Sequence, residues 1–282
     1  MENRTGEKND GQARLPENEI HEVRRRTAPR AAIVHEAIRH EGELEFQRSH
    51  SALAWSGFAA GLSMGFSLVA EGLLQHHLPD APWRPLVSKF GYSIGFLIVI
   101  LGRQQLFTEN TLTPILPLLQ TPRVGILLQV LRLWLIVLLA NLSGAYLFAW
   151  GLADSSVFSA GMQREFLLLG THTLQGDFST VLISAIYAGW LIALTVWLLP
   201  FAETARVMVI IIITYLIGLG GFRHIIAGSV EVFYLVGIGA ISFATYLQNF
   251  FLPTLLGNII GGITLVAVIN HAQVVAGGDQ RK

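Results

Sequence analysis

The stretch "GRQQLFTENT", Gly102–Thr111, interrupts one of the most apolar parts of the chain: "FGYSIGFLIVIL" leads into it and "LTPILPLL" follows. An arginine, two glutamines and a glutamate in that setting need protein or water around them, because a charge facing hydrocarbon is costly. A second interruption, "GLGGFRHIIAGSVE" at Gly218–Glu231, breaks another long apolar segment. Each contains glycine, an arginine and a later glutamate. Irregular backbone at membrane depth is tolerated only when it is buried in protein or lines an aqueous path. Both stretches therefore read as pore loops.

The composition supports a membrane setting. The 282 residues are 52% hydrophobic and only 13% charged, against about 25% charged in an ordinary soluble domain. Nine of the 19 Lys and Arg, and ten of the 19 Asp and Glu, lie in the first 50 residues. The rest of the chain is poor in charge, which marks an integral membrane protein with a polar N-terminal tail. A net charge of zero gives no argument for nucleic acid, and the absence of cysteine excludes disulfides, thiolate metal sites and Cys nucleophiles. The charged N-terminus lacks the apolar core of a cleavable signal.

Residues 1–28 are polar, without apolar period, and read as a disordered cytoplasmic tail. Residues 29–48 carry Ile33, Val34, Ala37, Ile38, Leu44 and Phe46 at roughly helical spacing, predicting an amphipathic helix on the membrane surface or against its own bundle. Residues 49–274 form the transmembrane domain, and 275–282 a C-terminal tail. Hydropathy divides the domain into six segments, near 50–73, 86–119, 125–152, 178–200, 205–240 and 246–274. Each is close to or above the roughly 20 residues a spanning helix needs. A short amphipathic piece is expected within 153–177. Six spans put both termini on one side, and Arg24–Arg26 with Arg30, Arg39 and Arg48 assign that side to the cytoplasm. Segments two and five are the broken ones. Lying three segments apart, they run in opposite directions, which predicts an all-α fold of two inverted halves of three helices.

Several short motifs, in order, resemble the formate/nitrite transporter family of aquaporin-like channels. "LFTENT" (Leu106–Thr111) is similar to the family's second-segment loop, and "GFRH" (Gly221–His224) to its fifth-segment loop with a central histidine. "ANLSGA" (Ala140–Ala145) resembles the small-residue third helix, and "LPTLLGNIIGG" (Leu252–Gly262) the start of the last. The resemblance covers residues 30–274. It implies a homopentamer in a bacterial inner membrane that passes a small monovalent anion or its weak acid, without cofactor and without enzymatic activity. The chain departs from the family pattern at Gln105 and Arg223, where acidic residues are usual, and at Gly228 and Gly189, where asparagine is frequent. It therefore resembles an outlying branch with divergent pore residues.

The resemblance places His224 at the pore centre with Thr108 as its hydroxyl partner, and Gln105, Arg103 and Arg223 as further pore-lining groups. Imidazole donates hydrogen bonds and changes charge near neutral pH, so His224 can hold or protonate a weak-acid anion. Arg223 beside it disfavours imidazolium. The arginines need partners, and Glu109 and Glu231, one acid from each loop, are the expected ones. Tyr92 and Phe96 lie at i and i+4 on one helix face. With Ile192 and Ile217 they are expected to form apolar constrictions that strip water from an ion. His76, His77 and His172 are expected in exposed loops, and no histidine pair has metal-ligand spacing with carboxylates. Rival readings are a neutral-solute channel, which lacks the paired Asn-Pro-Ala signature here; an intramembrane enzyme, for which no catalytic pairing is visible; and a non-conducting sensor, distinguished by flux in liposomes.

Overall fold

The computed structural model describes residues 30–278, with Pro16 and Glu19 besides. The expectation for the tail at 1–28 thus lies outside the described residues. Among the described residues every regular element is helical.

The first helix, α1 (Ala31–Gln47), buries His35, Ile38 and Gly42. It lies against its own bundle: a Cβ on Gly42 would meet the Thr113 carbonyl oxygen and Pro117. Ser49 caps the long α2 (His50–His77), its hydroxyl accepting from the Ala52 N–H at 3.2 Å. Next come α3 (Arg84–Ser88), a 3₁₀ turn (Lys89–Tyr92) and α4 (Ser93–Leu101). The chain then leaves helical geometry, resumes as a 3₁₀ turn at Glu109–Thr111 and ends the segment in the short α5 (Ile115–Gln120). The 31-residue α6 (Val124–Asp154) follows.

The second half repeats this order. The amphipathic α7 (Ala160–Thr173) is the short piece expected between the third and fourth segments. Asp177 caps α8 (Phe178–Leu198). The fifth segment is two helices, α9 (Arg206–Leu219) and α10 (Ile225–Gly237), separated by the second break. The last is a rod of α and π turns, α11 (Phe243–Gly277). Helical structure continues to Gly278 through the start of the expected C-terminal tail.

Among the described residues, five helices are long and apolar enough to cross a membrane: α2, the run Arg84–Leu101, α6, the run from Phe178 to Phe201, and α11. The fifth segment is absent from that set because its break leaves α9 and α10 only 14 and 13 residues long. Large apolar side chains cover the outer surface, among them Trp55, Leu128, Leu135 and Ile212. Such a surface suits lipid or a neighbouring subunit, not water. The interior is made by close backbone approach. A Cβ on Gly61 of α2 would come within 2.1 Å of the Asn141 carbonyl oxygen on α6, and one on Gly189 of α8 within 2.3 Å of the Asn258 carbonyl oxygen on α11. Small residues substitute for the hydrophobic drive that is absent between helices in lipid.

Candidate functional site

The two breaks have the same backbone hydrogen bonding. In the first, the amides of Gly102, Arg103 and Gln104 bond to the carbonyls of Ile98, Ile100 and Val99. In the second, Gly220, Gly221 and Phe222 bond to Leu216, Gly218 and Ile217. The matched positions Arg103 and Gly221 both have positive φ, 53° and 60°. One half meets the left-handed backbone with glycine, the other with arginine.

Each break is then held from two sides. The Ser56 hydroxyl accepts from the Gln105 amide at 3.0 Å, and the Ser184 hydroxyl from the Arg223 amide at 3.3 Å. Asn141 accepts from the Phe107 amide at 2.9 Å and donates to the carbonyls of Gln105 and Gly57. Asn258 accepts from the Ile225 amide at 2.8 Å and donates to those of Arg223 and Ala185. Both asparagines are fully buried. The broken backbone thus finds partners at membrane depth, as it must. The motifs "ANLSGA" and "GNIIGG" drew attention in the sequence for their small residues. Their central asparagines, polar groups within long apolar helices, were the signal for this clasp.

At the centre, the fully buried Thr108 Oγ1 lies 2.7 Å from Nε2 of the nearly fully buried His224. His224 is also the N-cap of α10, its Nδ1 accepting from the Ala227 amide at 3.2 Å. Phe96 presents its ring to the imidazole in a T-shaped contact, centroids 4.9 Å apart, and lies tilted against Tyr92 in turn. Ile192 and Ile217 are fully buried.

A cavity lies at each of the two breaks. The larger, about 460 Å³, is bounded by Arg48, Arg103, Gln105, Glu109 and Arg206, with Glu41 and Glu45 of α1. The smaller, about 30 Å³, is lined by His224 itself with Tyr92, Ile217, Arg223, Glu231 and Lys89. Arg103 opens into the first with a largely exposed guanidinium, while Gln105 is tied to Asn110 at 3.0 Å.

The arginine partners differ from those expected. Arg103 reaches Glu41 of α1 at 3.5 Å, and Glu109 instead gives its backbone carbonyl to Leu112 and Thr113. The positive φ of Arg103 turns its side chain into the wide cavity, toward α1. Arg223 is held by the carbonyls of Gly221, Gln175 and His172, and by Ser184. Glu231 takes the Thr173 hydroxyl instead. A planar guanidinium with five donors is readily held by carbonyls. The buried ion pair of this region is one that sequence reasoning missed, Lys89 with Glu71 of α2. Two charged residues inside otherwise apolar segments were its visible sign. Gly189, matched by resemblance to a pore-lining position, packs against the Asn258 backbone instead. His172 is exposed but helical, and borders the smaller cavity. His76 and His77 are exposed at the C-terminal end of α2.

Comparison with known proteins agrees with this architecture. Residues 32–272 match the family model of the formate/nitrite transporters. The chain is 44% identical over 249 residues to the inner membrane protein YfdC of Escherichia coli K12, covering 88% of this chain and 80% of that one. It is 23% identical to the formate channel FocA of Haemophilus influenzae, covering 77% and 84% of the two chains. A solved pentameric formate channel with formate bound superposes with a TM-score of 0.66 at 20% identity, over 84% of this chain and 99% of that one. The doubled break, its asparagine clasps and these matches lead to one conclusion: the chain belongs to the formate/nitrite transporter family, a family of membrane channels and transporters and not of enzymes.

Proposed function

We propose that this protein conducts a small monovalent anion, or its weak acid, through a pore centred on Thr108 and His224. The observation that carries the reading is the double commitment of the imidazole. A neutral imidazole has one accepting and one donating nitrogen. Nδ1 accepts the Ala227 amide, so the proton is assigned to Nε2, which donates to Thr108 Oγ1. The Thr108 hydroxyl hydrogen is left to point at a passing anion. Protonating Nδ1 would break the cap of α10 and set a cation at a helix N-terminus, where the dipole opposes it. His224 therefore acts as a neutral donor, with charge attraction supplied by Arg103, Arg223 and Arg206. Phe96, Tyr92, Ile192 and Ile217 surround this centre as the apolar constriction, which favours the less hydrated neutral acid.

The family resemblance and the named relatives support a homopentamer in the inner membrane. Six crossings with both termini cytoplasmic follow from the arginine-rich N-terminal segment and the broken fifth segment. The test is uptake by the full-length protein in proteoliposomes, compared across formate, nitrite, acetate, lactate and hydrosulfide, with water and glycerol as neutral controls. Anion uptake should persist in Thr108→Ser and fall at least tenfold in Thr108→Ala. Uptake of neutral solutes alone, or anion uptake indifferent to both changes, would overturn the reading.

A further inference from the structure

Glu231 lies seven residues after His224 on α10, about two turns or roughly 10 Å along the same helix. It is buried, and its carboxyl borders the same small cavity as His224. Each facing element contributes a defined group. From α7, Thr173 donates its hydroxyl to Glu231 Oε2, and His172 borders the cavity. From the 3₁₀ turn come Lys89 and Tyr92, and from the second break Arg223. Glu71 of α2 holds Lys89 in an ion pair. Tyr246 of α11 bonds to Ser229, on the same helix as Glu231.

Among the other acidic and basic groups, three are committed. His224 uses both ring nitrogens, Glu71 faces Lys89, and Arg223 is spent on backbone carbonyls. Desolvation at the cavity rim, then Lys89 and Arg223, lower the His172 pKa below its ordinary value, which disfavours its charged form. Among the described residues the Glu231 carboxyl makes no ion pair, and one hydroxyl bond leaves its second oxygen to the cavity. A carboxyl so placed can hold a proton without disrupting the surrounding bonds, and can lose it without being left unsolvated.

We propose that Glu231 is the proton-exchanging group of this vestibule, resting on the reading that the pore passes a weak-acid anion. The carboxylic O–H bond of Glu231 breaks as an O–H bond forms on the permeating anion. The carboxylate left behind keeps the Thr173 hydrogen bond and faces the Lys89 and Arg223 charges. The neutral acid passes the constriction, releases its proton to water in the wide cavity, and Glu231 takes a new proton from water on its own side. One proton accompanies one anion.

Glu231→Gln preserves volume and an acceptor for Thr173 but cannot titrate. In proteoliposomes of the full chain, formate uptake by the parent protein should rise as the pH on the Glu231 side falls. The variant should hold within about twofold across the same range. His224→Asn should slow uptake and keep its pH dependence. Infrared difference spectroscopy gives a readout independent of transport. A carboxyl C=O band should titrate in the parent and be missing in Glu231→Gln. In Thr173→Val its midpoint should rise by about one pH unit, because the bond to the charged form is gone. A Glu231→Gln profile like the parent's, or an unchanged carboxyl band, overturns the assignment. Absence of anion flux in the parent overturns the transport reading instead, and leaves the infrared result to decide whether Glu231 titrates.

Discussion

Asn141 and Asn258 stand in equivalent places on α6 and α11, and each ties a broken segment to the helix before it with three bonds. Asn141 Nδ2 donates to the Gln105 carbonyl at 2.8 Å, and Asn258 Nδ2 to the Arg223 carbonyl at 2.9 Å. Replacing either with alanine strands one buried amide and two carbonyls, at about 1–3 kcal/mol for each group left unpaired. Asn258→Ala should also release the backbone beside His224, since the lost amide partner is Ile225. Thermal unfolding in detergent should show both losses, and uptake should fall further in the Asn258 variant. Parent-like melting in either variant would remove the clasp from the account.

Gly61 and Gly189 should not accept a methyl group. The added Cβ at each would press within 2.1–2.3 Å of a backbone oxygen on the facing helix, so the helices must separate. Alanine at either site should cost about 1–3 kcal/mol and lower the yield of folded oligomer by size-exclusion chromatography. Asparagine at Gly189, the residue frequent in the family, should be worse. Normal yield of Gly189→Asn would show that α8 and α11 can part.

Arg103 holds φ 53°, the conformation its counterpart Gly221 adopts at 60°. Glycine there should relieve the backbone by about 1 kcal/mol, while removing a cation from the wide cavity. Arg103→Gly should therefore melt at a higher temperature and transport anions more slowly, most visibly at low salt. If uptake is unaffected, the strained arginine has no part in gathering anions.

Two glutamates should differ in their tolerance of alanine. Glu71 is buried and partners the partly buried Lys89, so Glu71→Ala leaves that ammonium without its charged partner, at about 1–3 kcal/mol. Glu109 engages its surroundings through its backbone carbonyl, so Glu109→Ala should leave melting almost unchanged. A reversal of that order would mean Glu109, not Glu71, carries an ion pair.

His35 of α1 lies 2.9 Å from His271 near the end of α11 and edge-on to Trp197. Burial, then His271, lowers its pKa below the ordinary 6.5. The folded protein thus binds fewer protons here than the unfolded chain, so this contribution is present above pH 6.5 and fades as the pH drops through and below it. Hydrogen-exchange protection factors in α1, taken relative to intrinsic rates at each pH, should fall on acidification, and less so in His35→Gln. An equal fall in both proteins would assign the effect elsewhere.

The Thr108–His224 contact, 116 positions apart in the chain, was implied by the family resemblance, while the apolar segments and the two breaks could be read because each is local: a run of lipid-soluble residues, or polar residues inside one. Side-chain pairing could not. Arg103 and Arg223 each have an acid nearby in sequence, yet the left-handed turn at Arg103 sends it to Glu41, and the carbonyls at the end of α7 reach Arg223 first. Those choices depend on backbone direction at single residues. Lys89 and Glu71 were visible as isolated charges, but 18 residues and a helix boundary separate them. Nothing short of the fold says they meet.

The asparagine clasps grip main-chain atoms only. The side chains at Gln105 and Leu106 play no part in these clasps, so each can change while the aperture keeps its outline, whereas Arg223 and His224 also bond to the backbone of the second break. This makes the pore readily evolvable, a fixed socket with interchangeable fittings. An ancestor could exchange an acid for Gln105 in one mutational step without refolding. Grafting the loop side chains of a relative onto this frame should transfer selectivity in the same way.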